Sequence, residues 1–255
     1  MADKVKQPIG AAIIGFGGMG SFHGRQICQN LRGEIELLGV FDIKEDRQAL
    51  AREKGLHAYE SRAALLADPR VELVVVATPN DLHKEIVLDA LAQGKNVICE
   101  KPVTMTSADL EEMLAAGAHA GRLFTVHQNR RWDPDYLTAK RILDDGTLGR
   151  VFHVESRVHG SRGIPGDWRN RKAQGGGMLL DWGIHLLDQM LMLMEHRRLL
   201  TVYAQLTNIT NEECDDGFRA IFRFEGDVSF LVEVLTSNFI ELPRWYLLGE
   251  NGSAI

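Results

Sequence analysis

The chain has 255 residues, with 45% hydrophobic and 25% charged positions, 29 Lys plus Arg against 35 Asp plus Glu, and 3 cysteines. This composition excludes a disordered, fibrous or disulfide-stapled chain, and the net charge of −6 disfavours a broad nucleic-acid-binding face. No apolar run approaches the roughly 18 residues a membrane span needs, and the polar start leads straight into a short apolar segment, so a soluble, cytoplasmic protein of two domains acting on small molecules is expected.

Through the first half, short runs rich in Val, Ile and Leu alternate with amphipathic stretches. Strands are predicted over 9–14, 35–41, 71–77, 96–99 and 123–126, with helices over 19–31, 45–54, 61–66, 82–93 and 108–120, the last capped by Thr106 or Ser107. Strand, crossover helix and parallel strand in repetition predict a doubly wound α/β domain over 1–127. Beyond it the pattern changes to a helix over 134–143, strands over 149–157, 201–208, 217–224, 227–235 and 245–249, and a helix over 178–194. Glu225-Gly226-Asp227 joins two alternating runs as a hairpin turn would. An α+β domain with a largely antiparallel sheet is therefore expected over 128–255. The Gly-, Arg- and Lys-rich stretch 160–177 reads as a long loop, and Met190, Met192 and Met194 read as core packing.

Gly15-Phe16-Gly17-Gly18-Met19-Gly20 is a G-x-G-x-x-G placed after a predicted strand and opening a predicted helix. In that setting the first glycine permits a tight turn, the second lets backbone approach a pyrophosphate, and the third lets helix and strand pack closely, with phosphate at the helix N-terminus. Asp42 ends the second strand, 22 residues beyond Gly20, where a carboxylate would accept from a ribose 2′-hydroxyl and repel a 2′-phosphate. That favours NAD; Lys44 and Arg47 close by could neutralise a phosphate and leave NADP open. Thr78-Pro79-Asn80-Asp81-Leu82-His83 sits at the carboxyl end of the third strand, the edge where open α/β sheets bind ligands, and also offers a helix cap.

Glu100-Lys101-Pro102 follows the fourth strand at the same edge, where a lysine can donate to a substrate oxygen, although a lysine after a strand is by default a surface residue. Farther on, Gly175-Gly176-Gly177 precedes Asp181 and His185, four apart and on one helical face, a spacing that suits an acid and an imidazole working together and also an ordinary surface pair. The glycines are expected to let backbone approach a ligand or the nicotinamide-bearing domain. His23, His57, His119, His153 and His159 show no metal-ligand spacing, so no metal site is expected.

Taken together, Gly15-x-Gly17-x-x-Gly20, Asp42, Thr78-Pro79-Asn80-x-x-His83, Glu100-Lys101-Pro102 and Gly176-Gly177-x-Leu179-x-Asp181-x-Gly183-x-His185 resemble the Gfo/Idh/MocA family of oxidoreductases, which includes glucose-fructose oxidoreductase and inositol dehydrogenases. The resemblance covers essentially the whole chain. It implies a Rossmann domain followed by a substrate and oligomerisation domain, with Lys101, Asp181 and His185 as a catalytic triad and Glu100 as a cofactor-ribose contact. It further implies that Trp168 and Arg169 contact cofactor or substrate from a loop, that Thr78, Pro79, Asn80 and His83 line the cofactor edge, and that Asn129 and Arg130 line a sugar site. The chain stops earlier than such proteins usually do, so the second domain is expected to be incomplete. The resemblance implies homo-oligomers formed through the second domain's sheet.

Oxidising a secondary alcohol needs a base for the hydroxyl proton, a donor for the oxygen and a nearby hydride acceptor. His185 is the expected base, Lys101 the donor, and Asp181 the residue that orients the pair or relays the proton. An NAD-dependent dehydrogenase of a sugar, polyol or related cyclic alcohol is the leading expectation. Two others stand beside it: an NAD-dependent glycosidase working through transient oxidation and elimination, and a non-catalytic nucleotide-responsive regulator.

Overall fold

A computed structural model describes residues 7–255; the polar lead-in over 1–6 lies outside the described residues. The chain divides into two compact units, the first ending at His127 and the second running from Gln128 to Ile255.

In the first unit, β1 (Ile9–Ile14), β2 (Ile35–Phe41), β3 (Leu73–Val76), β4 (Asn96–Cys99) and β5 (Phe124–Val126) form a wholly parallel sheet in the order β2-β1-β3-β4-β5. Five helices cross over between them: α1 (Gly18–Asn30), α2 (Glu45–Glu53), α3 (Arg62–Ala67), α4 (His83–Ala92) and α5 (Ser107–Ala120). Successive strand residues point to opposite faces, and here both faces are covered. Ala12, Ile14, Val74, Val76 and Val97 pack with Leu65, Val87, Ala90 and Met113 from α3, α4 and α5. Their neighbours Ala11, Ile13, Leu73 and Val75 pack in clusters that include Ile27 of α1 and Ala51 of α2. That is why these strands read as unbroken apolar runs. Thr106 caps α5, its hydroxyl accepting from the Asp109 N–H.

The second unit is built on β6 (Val151–His159), β7 (Leu199–Thr207), β8 (Gly217–Phe224), β9 (Val228–Leu235), β10 (Trp245–Gly249) and β11 (Gly252–Ala254), in the order β11-β10-β6-β9-β8-β7. Only β6 and β9 run parallel; the other pairings are antiparallel. The turn between β8 and β9 takes positive φ at Gly226 (+82°) and Asp227 (+55°), as a tight reversal requires. One sheet face packs on α6 (Pro134–Asp144) and α7 (Ile184–Leu193), burying Tyr136, Leu186, Met190, Met194, Phe218, Phe230 and Val232 in one cluster, with Met192 partly buried against it. The other face carries His153, Glu155, Arg157 and His159 of β6 beside Glu233 of β9 and Arg219 of β8, tied by ion pairs of Glu233 with Arg157 and Arg219 and by hydrogen bonds of His153 with Glu155 and His159 with Glu233.

One expectation is corrected. The helix expected over 178–194 opens instead with a π-helical turn, Leu179–Gly183, before α7 begins. A Cβ on Gly183 would lie 2.7 Å from the Phe218 ring, so the widened turn seats against β8 at a glycine. Among the described residues no helix is long and apolar enough to cross a membrane.

Candidate functional site

In the first unit the strand order reverses between β1 and β3, and both strands end at the same edge, which is where doubly wound sheets bind ligands. The 15–20 loop follows β1, and Thr78-Pro79-Asn80 follows β3. The two loops touch: Gly15 has φ +91°, and a Cβ there would meet the Ala77 carbonyl oxygen at 2.6 Å. A Cβ on Gly20 would overlap the Gly15 carbonyl oxygen, at 1.9 Å. Gly17 and Gly18, by contrast, have nothing within 4 Å of a Cβ. The turn thus closes tightly on itself and leaves open space over its middle. α1 begins there with no side-chain cap and no acidic residue in its first turn, so its N–H groups are directed at an incoming anion.

Asp42 lies just beyond β2. Its Oδ2 accepts from the Phe16 N–H at 2.7 Å and its Oδ1 from the Lys44 N–H at 2.9 Å, which ties the carboxylate to the glycine turn. Each oxygen keeps a further lone pair for a ribose hydroxyl. At the β3 edge the Thr78 hydroxyl is buried with no hydrogen-bond partner among the described residues, an orphaned polar atom beside the turn. Open cradle, uncapped helix start, tethered carboxylate and orphaned hydroxyl fit a dinucleotide.

Two residues expected at the cofactor also tie the edge together. His83 is 0% exposed; its Nε2 meets the Thr78 carbonyl at 2.9 Å and its Nδ1 the Pro102 carbonyl at 3.0 Å. Burial holds its pKa below the ordinary value, against the pull of those carbonyls. It ties the loop after β3 to the loop after β4 and offers no exposed surface for a cofactor. Glu100 is likewise buried at the end of β4, its Oε1 2.6 Å from His23 Nε2 and 2.9 Å from His127 Nδ1, while the Lys101 N–H donates to its Oε2 at 3.3 Å. Burial alone would raise the Glu100 pKa, but hydrogen bonds from the two imidazoles bring it down to about 2. Glu100 is thus an anionic brace that also holds the Lys101 backbone N–H. The ligand atoms of these three side chains lie within 4.8 Å of one another, close enough to hold a metal ion, but each imidazole already hydrogen-bonds the carboxylate directly.

In the second unit, Asp181 sits in the π-helical turn and His185 in the first turn of α7, both buried. Arg169, from a short turn over Trp168–Asn170, donates through Nε to Asp181 Oδ2 at 2.9 Å and stacks its guanidinium 4.6 Å from the Trp168 ring centre. Two of these glycines pack closely against this unit's own chain. A Cβ on Gly176 would lie 2.3 Å from the Arg169 carbonyl oxygen; one on Gly177, at φ +103°, would lie 2.2 Å from Asp215 Oδ1. Asp215 in turn accepts the Leu179 N–H at 2.8 Å, and burial raises its pKa.

Asn129 and Arg130 fall in a short turn, Asn129–Trp132, in which Arg130 stacks 4.1 Å from the Trp182 ring centre and pairs with Asp133 at 2.9 Å. Just before them Gln128 Oε1 lies 2.5 Å from His185 Nδ1. Sequence reasoning missed His127, Gln128 and Asp215, and it singled out His23 only as a non-ligand. Their partners lie 27 to 77 residues away, so no local spacing points to them.

Residues 9–128 match the family described as "Oxidoreductase family, NAD-binding Rossmann fold", and residues 136–255 match the "GFO/IDH/MocA C-terminal domain". An uncharacterized oxidoreductase of Schizosaccharomyces pombe is 34% identical over 226 residues, covering 85% of this chain and 61% of that protein. The scyllo-inositol 2-dehydrogenase (NADP(+)) IolW of Bacillus subtilis is 32% identical over 252 residues, covering 97% of this chain and 68% of that protein. Among solved structures, an NAD-binding protein from Listeria innocua is 49% identical with a TM-score of 0.93, covering 97% of this chain and 72% of that one. The chain thus spans between 61% and 72% of the length of these three proteins.

Proposed function

The chain belongs to the Gfo/Idh/MocA family of oxidoreductases, with an NAD-binding Rossmann domain, and from that premise we propose that it transfers a hydride between a secondary alcohol of a sugar, polyol or inositol-like substrate and a nicotinamide. The observation that carries this reading is the second unit's buried Asp181 and His185, one held by Arg169 and the other by Gln128. Burying an acid and an imidazole is costly unless each is hydrogen-bonded, and such groups are retained where proton transfer needs them.

We assign His185 as the base that takes the hydroxyl proton and Asp181, with Arg169 beside it, as the residue that orients or relays. Lys101, set above the Glu100 brace, donates to the substrate oxygen and stabilises the negative charge that develops there. Asn129 and Arg130 are assigned to substrate hydroxyls. The 15–20 turn and the start of α1 hold the pyrophosphate, Asp42 the ribose hydroxyls, and Thr78, Pro79 and Asn80 the edge next to them. Trp168 and Arg169 face cofactor or substrate. When bound, the nicotinamide supplies the hydride acceptor. Asp42 brings negative charge where a 2′-phosphate would sit, so NAD is preferred over NADP. The second unit's charged sheet face is assigned to self-association.

The test is NADH formation from NAD with a panel of hexoses and cyclic polyols that includes scyllo-inositol, run beside NAD titration of the same sample. Turnover that His185→Ala abolishes with NAD affinity intact is the expected result. Turnover retained in that variant would remove His185 from the mechanism. A folded chain that binds no nicotinamide nucleotide would overturn the reading.

A further inference from the structure

We propose that Gln128 is the positioning residue that fixes the tautomer of His185, holding the hydrogen on Nδ1 so that Nε2 carries the basic lone pair. This rests on the reading of His185 as the base. The assignment follows from which end of the Gln128 amide faces what. Its Nε2 is 3.4 Å from the Ile184 carbonyl oxygen, a group that only accepts, which favours the NH₂ at that end of the amide. The opposite end, 2.5 Å from His185 Nδ1, is therefore the oxygen, and it can only accept. An imidazole nitrogen facing an acceptor at that distance carries hydrogen. A neutral imidazole has one N–H, so its other nitrogen, Nε2, is the base.

Gln128 can do this because the segment it opens is fastened to α7 at several points. Gln189 Nε2 donates to the Arg130 carbonyl at 2.6 Å, and Arg131 holds both oxygens of Asp188 at 2.6 and 2.8 Å. The Arg130 guanidinium rests on the Trp182 ring, whose centre lies 6.0 Å from that of His185 in an edge-on arrangement. Amide and imidazole are thus carried by two pieces of chain locked together on one side, and His185 is only 5% exposed, so water competes little for Nδ1. A neutral amide also orients the ring without adding negative charge that would favour the protonated imidazolium, as a carboxylate in its place would.

The experiment is ¹⁵N NMR of the full chain labelled at histidine, with the His185 signals assigned by their loss in His185→Asn. The expected spectrum shows Nδ1 as the hydrogen-bearing nitrogen and Nε2 as the bare one. Gln128→Met keeps the length of the side chain and removes the acceptor. It should yield mixed tautomers and a kcat lower by about 10- to 100-fold, with KM and NAD affinity unchanged, for NAD with scyllo-inositol or the best-turned-over polyol of the panel. Gln128→Glu restores an acceptor, so Nδ1 should again carry hydrogen, but its charge should hold the ring as imidazolium to higher pH than in the unaltered protein. The hydrogen on Nε2 in the unaltered protein, or Nδ1–H persisting in Gln128→Met with kcat unchanged, would overturn the proposal. The wild-type spectrum decides even if Gln128→Met fails to fold. The expected tautomer in a protein that oxidises none of the alcohols would sustain the positioning and refute the dehydrogenase reading.

Discussion

Replacing Glu100 with Gln removes the charge of the buried brace while keeping its shape. The fall of the Glu100 pKa from its usual 4.5 to about 2 corresponds to roughly 3 kcal/mol in favour of the folded, ionised form. Because the folded value lies below the unfolded one, that stabilisation is fully present above pH 4.5 and is lost as the pH falls toward 2. Glu100→Gln should therefore cost about 2–3 kcal/mol at pH 7, the amide recovering part of the two imidazole contacts. At pH 3 the unfolded chain would already have protonated this carboxyl and the folded one would not, so more than half of the difference should have vanished. The assay is urea unfolding of both proteins at pH 7 and pH 3, followed by circular dichroism. Equal stability at pH 7, or a gap that stays constant with pH, would refute the view that His23 and His127 hold Glu100 as a carboxylate.

Two further perturbations separate the cofactor cradle from the fold that carries it. Gly17 has φ −75° and open space where a Cβ would go, so Gly17→Ala should leave unfolding stability within about 0.5 kcal/mol while weakening NAD binding at least about tenfold, as read by titration. Unchanged affinity would mean the open space is not the pyrophosphate cradle. Asp42→Ser keeps an acceptor for the Phe16 N–H and removes the charge, so the ratio of NADP to NAD affinity should rise by about tenfold or more; a constant ratio would remove Asp42 from ribose recognition.

Legibility in the sequence followed how local the cause was. β1, β2, β4, β8 and β10 were readable to the residue because burial on both faces, or strict alternation over one, is written into adjacent positions. The glycine turn was readable too, since its motif lies wholly between two elements that periodicity already locates. What escaped depends on residues far apart. The π-helical turn rests on Gly183 meeting Phe218, and nothing in the spacing of 178–194 departs from an α-helix. His83 and Glu100 were placed at the right edge of the sheet, but their protein partners were not legible, because only the folded chain brings Pro102 to one and His23 and His127 to the other.

Those partners suggest how such an edge is built. Several groups at this edge are held by a polar neighbour rather than by their own backbone. Glu100 and His83 are buried braces, and the residues they set in place are the next along the chain or the next loop: the Lys101 backbone accepts its position from Glu100, and His83 holds the Thr78 and Pro102 carbonyls. In the second unit Arg169 braces Asp181, while Gln128 braces His185. In each case the brace is a polar side chain whose removal should disturb geometry before chemistry. The motif residues name the chemistry, and the braces, His83 and Glu100 within the motifs and Gln128 outside them, set how sharply it is aimed.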